Sequence, residues 1–315
     1  FLDKNDGVLH MKKSLIASAV AAAVLAGPAS AMKLEGPDYG IAVNVETGFY
    51  YQDMTGATGS STGELKGAGI NQIEIKGKRK VGNGLTVFGE IEVDYDPVDD
   101  GDDVKTDDMK LGVKGDFGTI QVGQFDFYYE DKISEALGAE HGDEGKVSEA
   151  GGTKDDRHIM WKNKFGSSEV AVDFRYNEAD TQSSQYAFTL KNKASDNLTV
   201  AAGWATDKDD MDQMGVNAVM KMDSTKFTVA YMTEETSGGV QTDYMGFLIE
   251  NQFGDTDLNL AVQSVDEEGS AERTEIAVGA GYELAKDFVL FADYAMFDKA
   301  NDEDDVIEIG MKYEF

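Results

Sequence analysis

From Val306 to Phe315 apolar and polar side chains alternate without a break. Ile307, Ile309, Met311, Tyr313 and Phe315 fall on one face of an extended strand, and Glu308, Gly310, Lys312 and Glu314 fall on the other. A wholly apolar strand face must be covered, and lipid covers it without further protein. The pattern therefore constrains the chain toward strands that cross a membrane, where only closed barrels and helices satisfy their backbone polar groups.

Strand-length alternation recurs along the chain, and no helical period of convincing length interrupts it. Sixteen segments begin near Tyr39, Ile70, Leu85, Thr106, Thr119, Arg157, Glu169, Ser184, Leu198, Gln213, Lys226, Thr242, Thr256, Arg273, Phe288 and Asp305. Their connections alternate in kind. Short turns include Gly82-Asn83-Gly84, Asp223-Ser224-Thr225 and Gly254-Asp255, whereas the other set is longer and acidic, with its longest member spanning about 128–156. This predicts an all-β fold, a transmembrane antiparallel β-barrel of 16 strands. No second domain is visible.

The beginning of the chain reads as an export signal. Met11-Lys12-Lys13 is a basic start, Leu15 to Leu25 is apolar, and Ala29-Ser30-Ala31 is a small-residue cleavage site. The expectation is a signal peptide over 11–31 cleaved after Ala31, upstream residues at 1–10, and a barrel over 32–315. The apolar run falls short of the ~20 residues a membrane helix needs. With 60 acidic against 28 basic residues the net charge is −32. That balance argues against nucleic acid, whose phosphates are bound by displacing counterions with Lys and Arg. There is no cysteine, hence neither a disulfide nor a thiolate metal site.

Parity assigns the faces. Ile73, Ile75 and Gly77 point outward and Glu74, Lys76 and Lys78 inward; Val170, Val172, Phe174 and Tyr176 alternate with Glu169, Asp173 and Arg175. Aromatic residues gather at strand ends, Phe49, Tyr50, Tyr51, Tyr95 and Phe297 near long loops and Phe117, Phe165, Phe253, Tyr282 and Phe315 near short turns. Two such girdles mark bilayer interfaces. His158 beside Asp156 reads as a solvated lumen-side histidine rather than part of a hydrolytic site, and no enzymatic activity is expected. Phe125, Phe127, Tyr128 and Tyr129 read as wall packing rather than as a sugar-stacking track. No acidic cluster matches the calcium-loop spacing, so no metal site is assigned and no cofactor is expected beyond divalent cations held loosely at acidic loops.

Several stretches carry a resemblance. Ile73 to Glu92, with its Gly82-Asn83-Gly84-Leu85 turn, Leu111 to Gly123, and Gly310 to Phe315 are similar to strands of the general diffusion porins of Gram-negative bacteria. The resemblance implies a homotrimer in the outer membrane, in contact with lipid and lipopolysaccharide, whose long third loop folds into the lumen. It also implies a C-terminal assembly signal, Phe315 with Tyr313 and Met311, read by the barrel-assembly machinery. Acids on that loop, Asp126, Glu130, Asp131 and Glu135, would face a wall where the family often carries Arg and this chain has Gln121, Gln124 and Met160. Inward-facing Lys76, Lys78, Lys110 and Arg175 remain as the wall's cations, each offset by neighbouring acids. The implied function is passive diffusion of ions and small hydrophilic solutes, and the carboxylate excess points to cation preference. A substrate-specific porin and a structural or adhesion barrel are the alternatives such a barrel leaves open.

Overall fold

The computed structural model describes residues 32–36, 39–55, 61–66, 71–95, 104–138, 155–176, 184–207, 211–297 and 305–314. The signal peptide expected over 11–31, the end of the third loop, most of the acidic outer-loop clusters and Phe315 lie outside the described residues. The strands are β1 (Met32–Glu35), β2 (Tyr39–Thr55), β3 (Ser61–Lys66), β4 (Gln72–Gly82), β5 (Leu85–Tyr95), β6 (Val104–Gly115), β7 (Gly118–Phe125), β8 (Asp155–Phe165) and β9 (Ser168–Arg175). They continue as β10 (Gln185–Lys193), β11 (Leu198–Thr206), β12 (Met211–Met222), β13 (Thr225–Thr236), β14 (Gln241–Phe253), β15 (Thr256–Glu267), β16 (Arg273–Ala285), β17 (Phe288–Met296) and β18 (Asp305–Glu314).

Sixteen of these form a closed antiparallel ring running from β2 through β4 to β18 and back to β2. Closure runs from Asp305 opposite Thr55 to Glu314 opposite Glu46. A closed ring leaves no unpaired backbone edge in lipid. The two additional strands are short flanks of the long β2: β1 lies along Gly40–Val43 and β3 along Tyr50–Thr55. Between β3 and β4, Asn71 fills the gap in the ladder. Its amide accepts from Gly48 N–H at 2.9 Å and donates to Gly48 C=O at 3.0 Å, as a strand residue would.

At the hairpin between β4 and β5, Asn83 and Gly84 have φ of 52° and 73°. Asn-Gly suits that turn because both central positions need positive φ. On the opposite end, β13–β14 and β15–β16 are joined by only 237–240 and 268–272, so two of the outer connections are themselves short.

The outward face is apolar and open, with Ile309 58%, Met245 63%, Leu111 58% and Val229 55% exposed. The inward face holds the buried polar groups, among them Gln52, Asp173, Glu275, Asp293 and Glu308. Val45 and Ile73, an outward cross-strand pair, are buried instead, and nearby the Tyr95 hydroxyl donates across β4 to the Glu46 carbonyl (3.5 Å). Phe117, Phe165, Phe253 and Tyr282 are exposed at the short-turn end, and Phe49, Tyr51 and Tyr176 at the other. Two aromatics expected in that second girdle turn inward. Tyr50 packs on Phe291 with centroids 6.4 Å apart, and Phe297 packs against a buried cluster centred on Leu137.

Candidate pore constriction

The chain leaves β7 at Phe125 and runs over the inward face of the ring. After Asp126 and Phe127 it makes a short helical turn at Tyr128 and Tyr129, then a single π-helical turn, Glu130–Ser134. The apolar side of this segment decides its path. Phe127, Tyr129 and Ile133 bury themselves among Ala187, Ala201, Ala205 and Met232, and Leu137 among Ala230, Leu248, Ala261, Ala277 and Ala295. Seven of those nine wall residues are alanines, so the segment lies close on the strands. Asn217 donates a hydrogen bond to the Lys132 carbonyl, fixing the π-turn to β12.

The polar side of the segment faces a cavity of about 270 Å³ lined by Asp108, Lys110, Gln121, Phe125, Asp126, Tyr128, Asp131, Met160 and Lys162. Five of the residues expected at the pore, Asp126, Asp131, Lys110, Gln121 and Met160, thus meet in one place. Lys76 sits a strand away and pairs with Glu74, and lies 4.0 Å from Glu90. Lys78 is exposed, Arg175 and Glu130 are buried, and Glu135 is exposed; none of these four lines the cavity. Gln124 stands opposite Met109, on the face of Leu111 and Val122, and therefore points away from the lumen. Alternation is unbroken here, with Gly123 opposite the inward Lys110 and Phe125 buried on the inner side.

Lys162 is a lumen cation at the cavity that the sequence reading missed. It lies on β8 two residues past Met160, so parity from that wall position was the available signal. Its Nζ is 4.6 Å from the Tyr128 ring centroid, and Lys132 lies on the same ring at 5.3 Å. A desolvated ammonium over an aromatic face is attracted by the ring quadrupole. The Tyr128 hydroxyl donates to Glu169, whose other oxygen lies 3.5 Å from Lys164. Lys110 is claimed by two carboxylates, Glu90 at 2.8 Å and Asp108 at 2.7 Å.

Carboxylates dominate the wall beside the cavity. A register slip between Ile91 and Val93 places both Asp107 and Asp108 beside Glu92. Glu74, Glu90 and Glu92 form one group with oxygens within 4.8 Å of one another, and Glu92, Asp94 and Asp107 form a second. Either group is able to attract a cation. Both lie on the inner wall, whereas the loose divalent sites expected from the sequence were on outer loops.

Burial, aided by the Glu169 hydrogen bond, holds the Tyr128 hydroxyl proton well beyond the ordinary tyrosine range, and burial near Glu234 raises Tyr129 likewise. The unfolded chain releases these protons near the ordinary value of 10.0. Their stabilising contribution is therefore complete below about pH 10 and falls as pH rises above it. In an alkaline titration followed by phenolate absorbance, replacing Tyr128 or Tyr129 with Phe is expected to leave the change before unfolding unaltered. A smaller early change in either variant would show that the hydroxyl titrates in the folded barrel.

His158 is wholly buried rather than solvated, and its carboxylate partner is Asp173 on β9.

A family model described as Gram-negative porin matches residues 17–302. No curated protein sequence matches the chain. Among solved structures, the anion-selective porin from Comamonas acidovorans superposes with a TM-score of 0.73 at 14% identity, covering 88% of this chain and 100% of that one. A loop-deleted OmpT of Vibrio cholerae gives 0.71 at 16%, with the same coverages of 88% and 100%. A substituted Rh. blastica porin gives 0.69 at 16% identity, covering 87% of this chain and 100% of that one. At these identities the structural likeness concerns the fold, and the family follows from the model match over most of the sequence: the chain belongs to the Gram-negative porin family.

Proposed function

We propose that this porin is a water-filled outer-membrane channel through which ions and small hydrophilic solutes diffuse passively, and that it prefers cations. The observation that carries the preference is the pairing of charges on the wall. Lys110 is held by Glu90 and Asp108, and Lys76 by Glu74, while Glu92 stands among Glu74, Glu90, Asp94 and Asp107. Basic residues spent on internal pairs leave a carboxylate surplus, and a low-dielectric wall focuses its field into the lumen. The anion selectivity of the Comamonas protein belongs to a chain 14% identical and does not set the sign here. The same reading places Asp126 and Asp131 at the narrowest passage, has the third loop constrict the pore, and makes the functional unit a homotrimer embedded in lipid and lipopolysaccharide. Its last residues serve as the assembly signal, and neither cofactor nor catalysis is part of the reading.

Bilayer recording across a KCl gradient tests it. Wild type is expected to show a cation-sided reversal potential, and Asp126→Asn with Asp131→Asn is expected to lower the cation-to-anion permeability ratio roughly two- to fivefold. The scale is that of unit charges about 4 Å apart in water, which attract by about 1 kcal/mol. An anion-sided potential in wild type would overturn the preference, and an absence of conductance would overturn the channel.

A further inference from the structure

We propose that the lipid face of β4 and β5 holds one phospholipid of the periplasmic leaflet, with its phosphate on Arg79 and an acyl chain in a groove over Gly77 and Gly89. The site faces away from the lumen and does not depend on whether the lumen conducts.

Gly77 and Gly89 stand opposite one another in the β4–β5 ladder, on the outward face. Their row continues to Ile41 on β2 and to Leu111 on β6, so two adjacent positions without side chains lie between bulky neighbours. The result is a groove of about 450 Å³ bounded by Ile75, Ile91, Met109, Leu111 and Val122. Neither glycine is required by crowding or by an unusual backbone. A Cβ added to Gly77 meets nothing within 4 Å, and one added to Gly89 meets only ordinary contacts at 3.4 and 3.7 Å. Neither residue has positive φ. Glycine inside a strand weakens it, and it marks places where another molecule approaches the backbone closely.

Charge decides which occupant fits. Arg79 follows Gly77 on the same face, about 7 Å along the strand. It is exposed, and its cross-strand neighbour on β2 is the exposed Tyr39. Among the described residues, Arg79 is the only charged side chain that alternation places on the outward face in the half of the strands nearer the short turns, and no carboxylate pairs with it. A second copy of the chain, packed beside this one in the membrane, would present its own outward face at the same depth. That face has no carboxylate to offer Arg79.

A phospholipid brings an anion to that depth. Arg79 lies three residues before Gly82, where β4 meets its short turn. Short turns of such barrels face the periplasm, so Arg79 stands at the headgroup level of that leaflet and the groove runs from it toward the membrane core. The guanidinium donates two parallel hydrogen bonds to a phosphate, a geometry that fixes the headgroup in place. Lipid tails are as apolar as the groove, so the groove contributes close packing and Arg79 contributes the selection.

Native mass spectrometry of the folded full-length protein, with dioleoyl phosphatidylglycerol added as the probe, tests the site. Wild type is expected to retain one phosphatidylglycerol per subunit. Arg79→Gln removes the charge and is expected to lower the affinity on the order of tenfold. Gly77→Leu fills the groove without touching a neighbour and is expected to lower it by a similar factor, with unchanged heat-modifiable gel mobility. Should Gly77→Leu fail to fold, Arg79→Gln decides. Wild type that retains no phosphatidylglycerol, or Arg79→Gln protein that retains as much as wild type, overturns the inference. So does a Gly77→Leu protein whose oligomer falls apart while its lipid retention is unchanged, because the groove would then be an interface between copies.

Discussion

Replacing Ile309 with lysine is expected to destabilise the barrel by about 2–4 kcal/mol, the cost of a basic side chain on the lipid face near the bilayer midplane. Ile309 lies at the middle of β18, is 58% exposed, and is flanked in register by Ala292 and Tyr51. Its exposure is to hydrocarbon, where an ammonium finds neither water nor a carboxylate. The strand itself supplies the comparison. Three residues on, Lys312 occupies the other face and sits 3.2 Å from Glu46 in the lumen. The same functional group is therefore native on one face and costly on the other. Depth gives a second control, since Tyr313→Lys lies at the end of the strand and is expected to cost only about 0–1 kcal/mol. Urea unfolding in lipid vesicles, with an unchanged denaturant slope, measures both. Equal costs at Ile309 and Tyr313 would mean that this face does not meet the membrane core.

What parity could reveal, the sequence revealed. The sixteen segment starts fall within two residues of the sixteen ring strands, from Tyr39 to Asp305, and Glu308 and Ile309 take opposite faces as alternation requires. A strand writes its face locally, every second residue, and no partner is needed to read it. Partnerships are different. His158 and Asp173 lie on adjacent strands 15 positions apart, and their meeting depends on register, which the neighbouring Asp156 gave no means to infer. Gln124 follows alternation onto the face of Val122, so the strand pattern itself excluded it from the lumen; a bulge does defeat parity near Ile91, where it brings Asp107 and Asp108 together beside Glu92. Its place near a strand end suggests a girdle position for Tyr50, but it lies opposite Gly310 on the inner face, where the glycine leaves room for the Tyr50 Cβ and the Phe291 ring. The short β1 and β3 escaped because four and six residues are too few for alternation to stand out.

Gly215→Leu is expected to lift the constriction segment off the wall while leaving the ring intact. Gly215 lies on the inner face of β12, and the space its Cβ would need is occupied by the Ile133 Cγ2 of the π-turn. Its other near neighbours, the Tyr231 carbonyl at 3.2 Å and Met232 Cβ at 3.3 Å, need yield only a few tenths of an ångström. The segment must therefore move, and strand pairing need not. Overfilling such a contact costs about 1–3 kcal/mol. Because the root of the segment is tied at Phe125 and Tyr128, the π-turn is displaced into the lumen rather than out of it, and single-channel conductance is expected to fall. Ile133→Ala alone empties a site that is 2% exposed, a loss of about 2–5 kcal/mol if the segment does not resettle. Combined with Gly215→Leu it gives the new side chain somewhere to go, so the double variant is expected to regain conductance and to be more stable than the sum of the single costs predicts. Additive costs with unchanged conductance would show that Ile133 and Gly215 are not in contact in the membrane, and that the small inner-wall residues serve some purpose other than seating the segment.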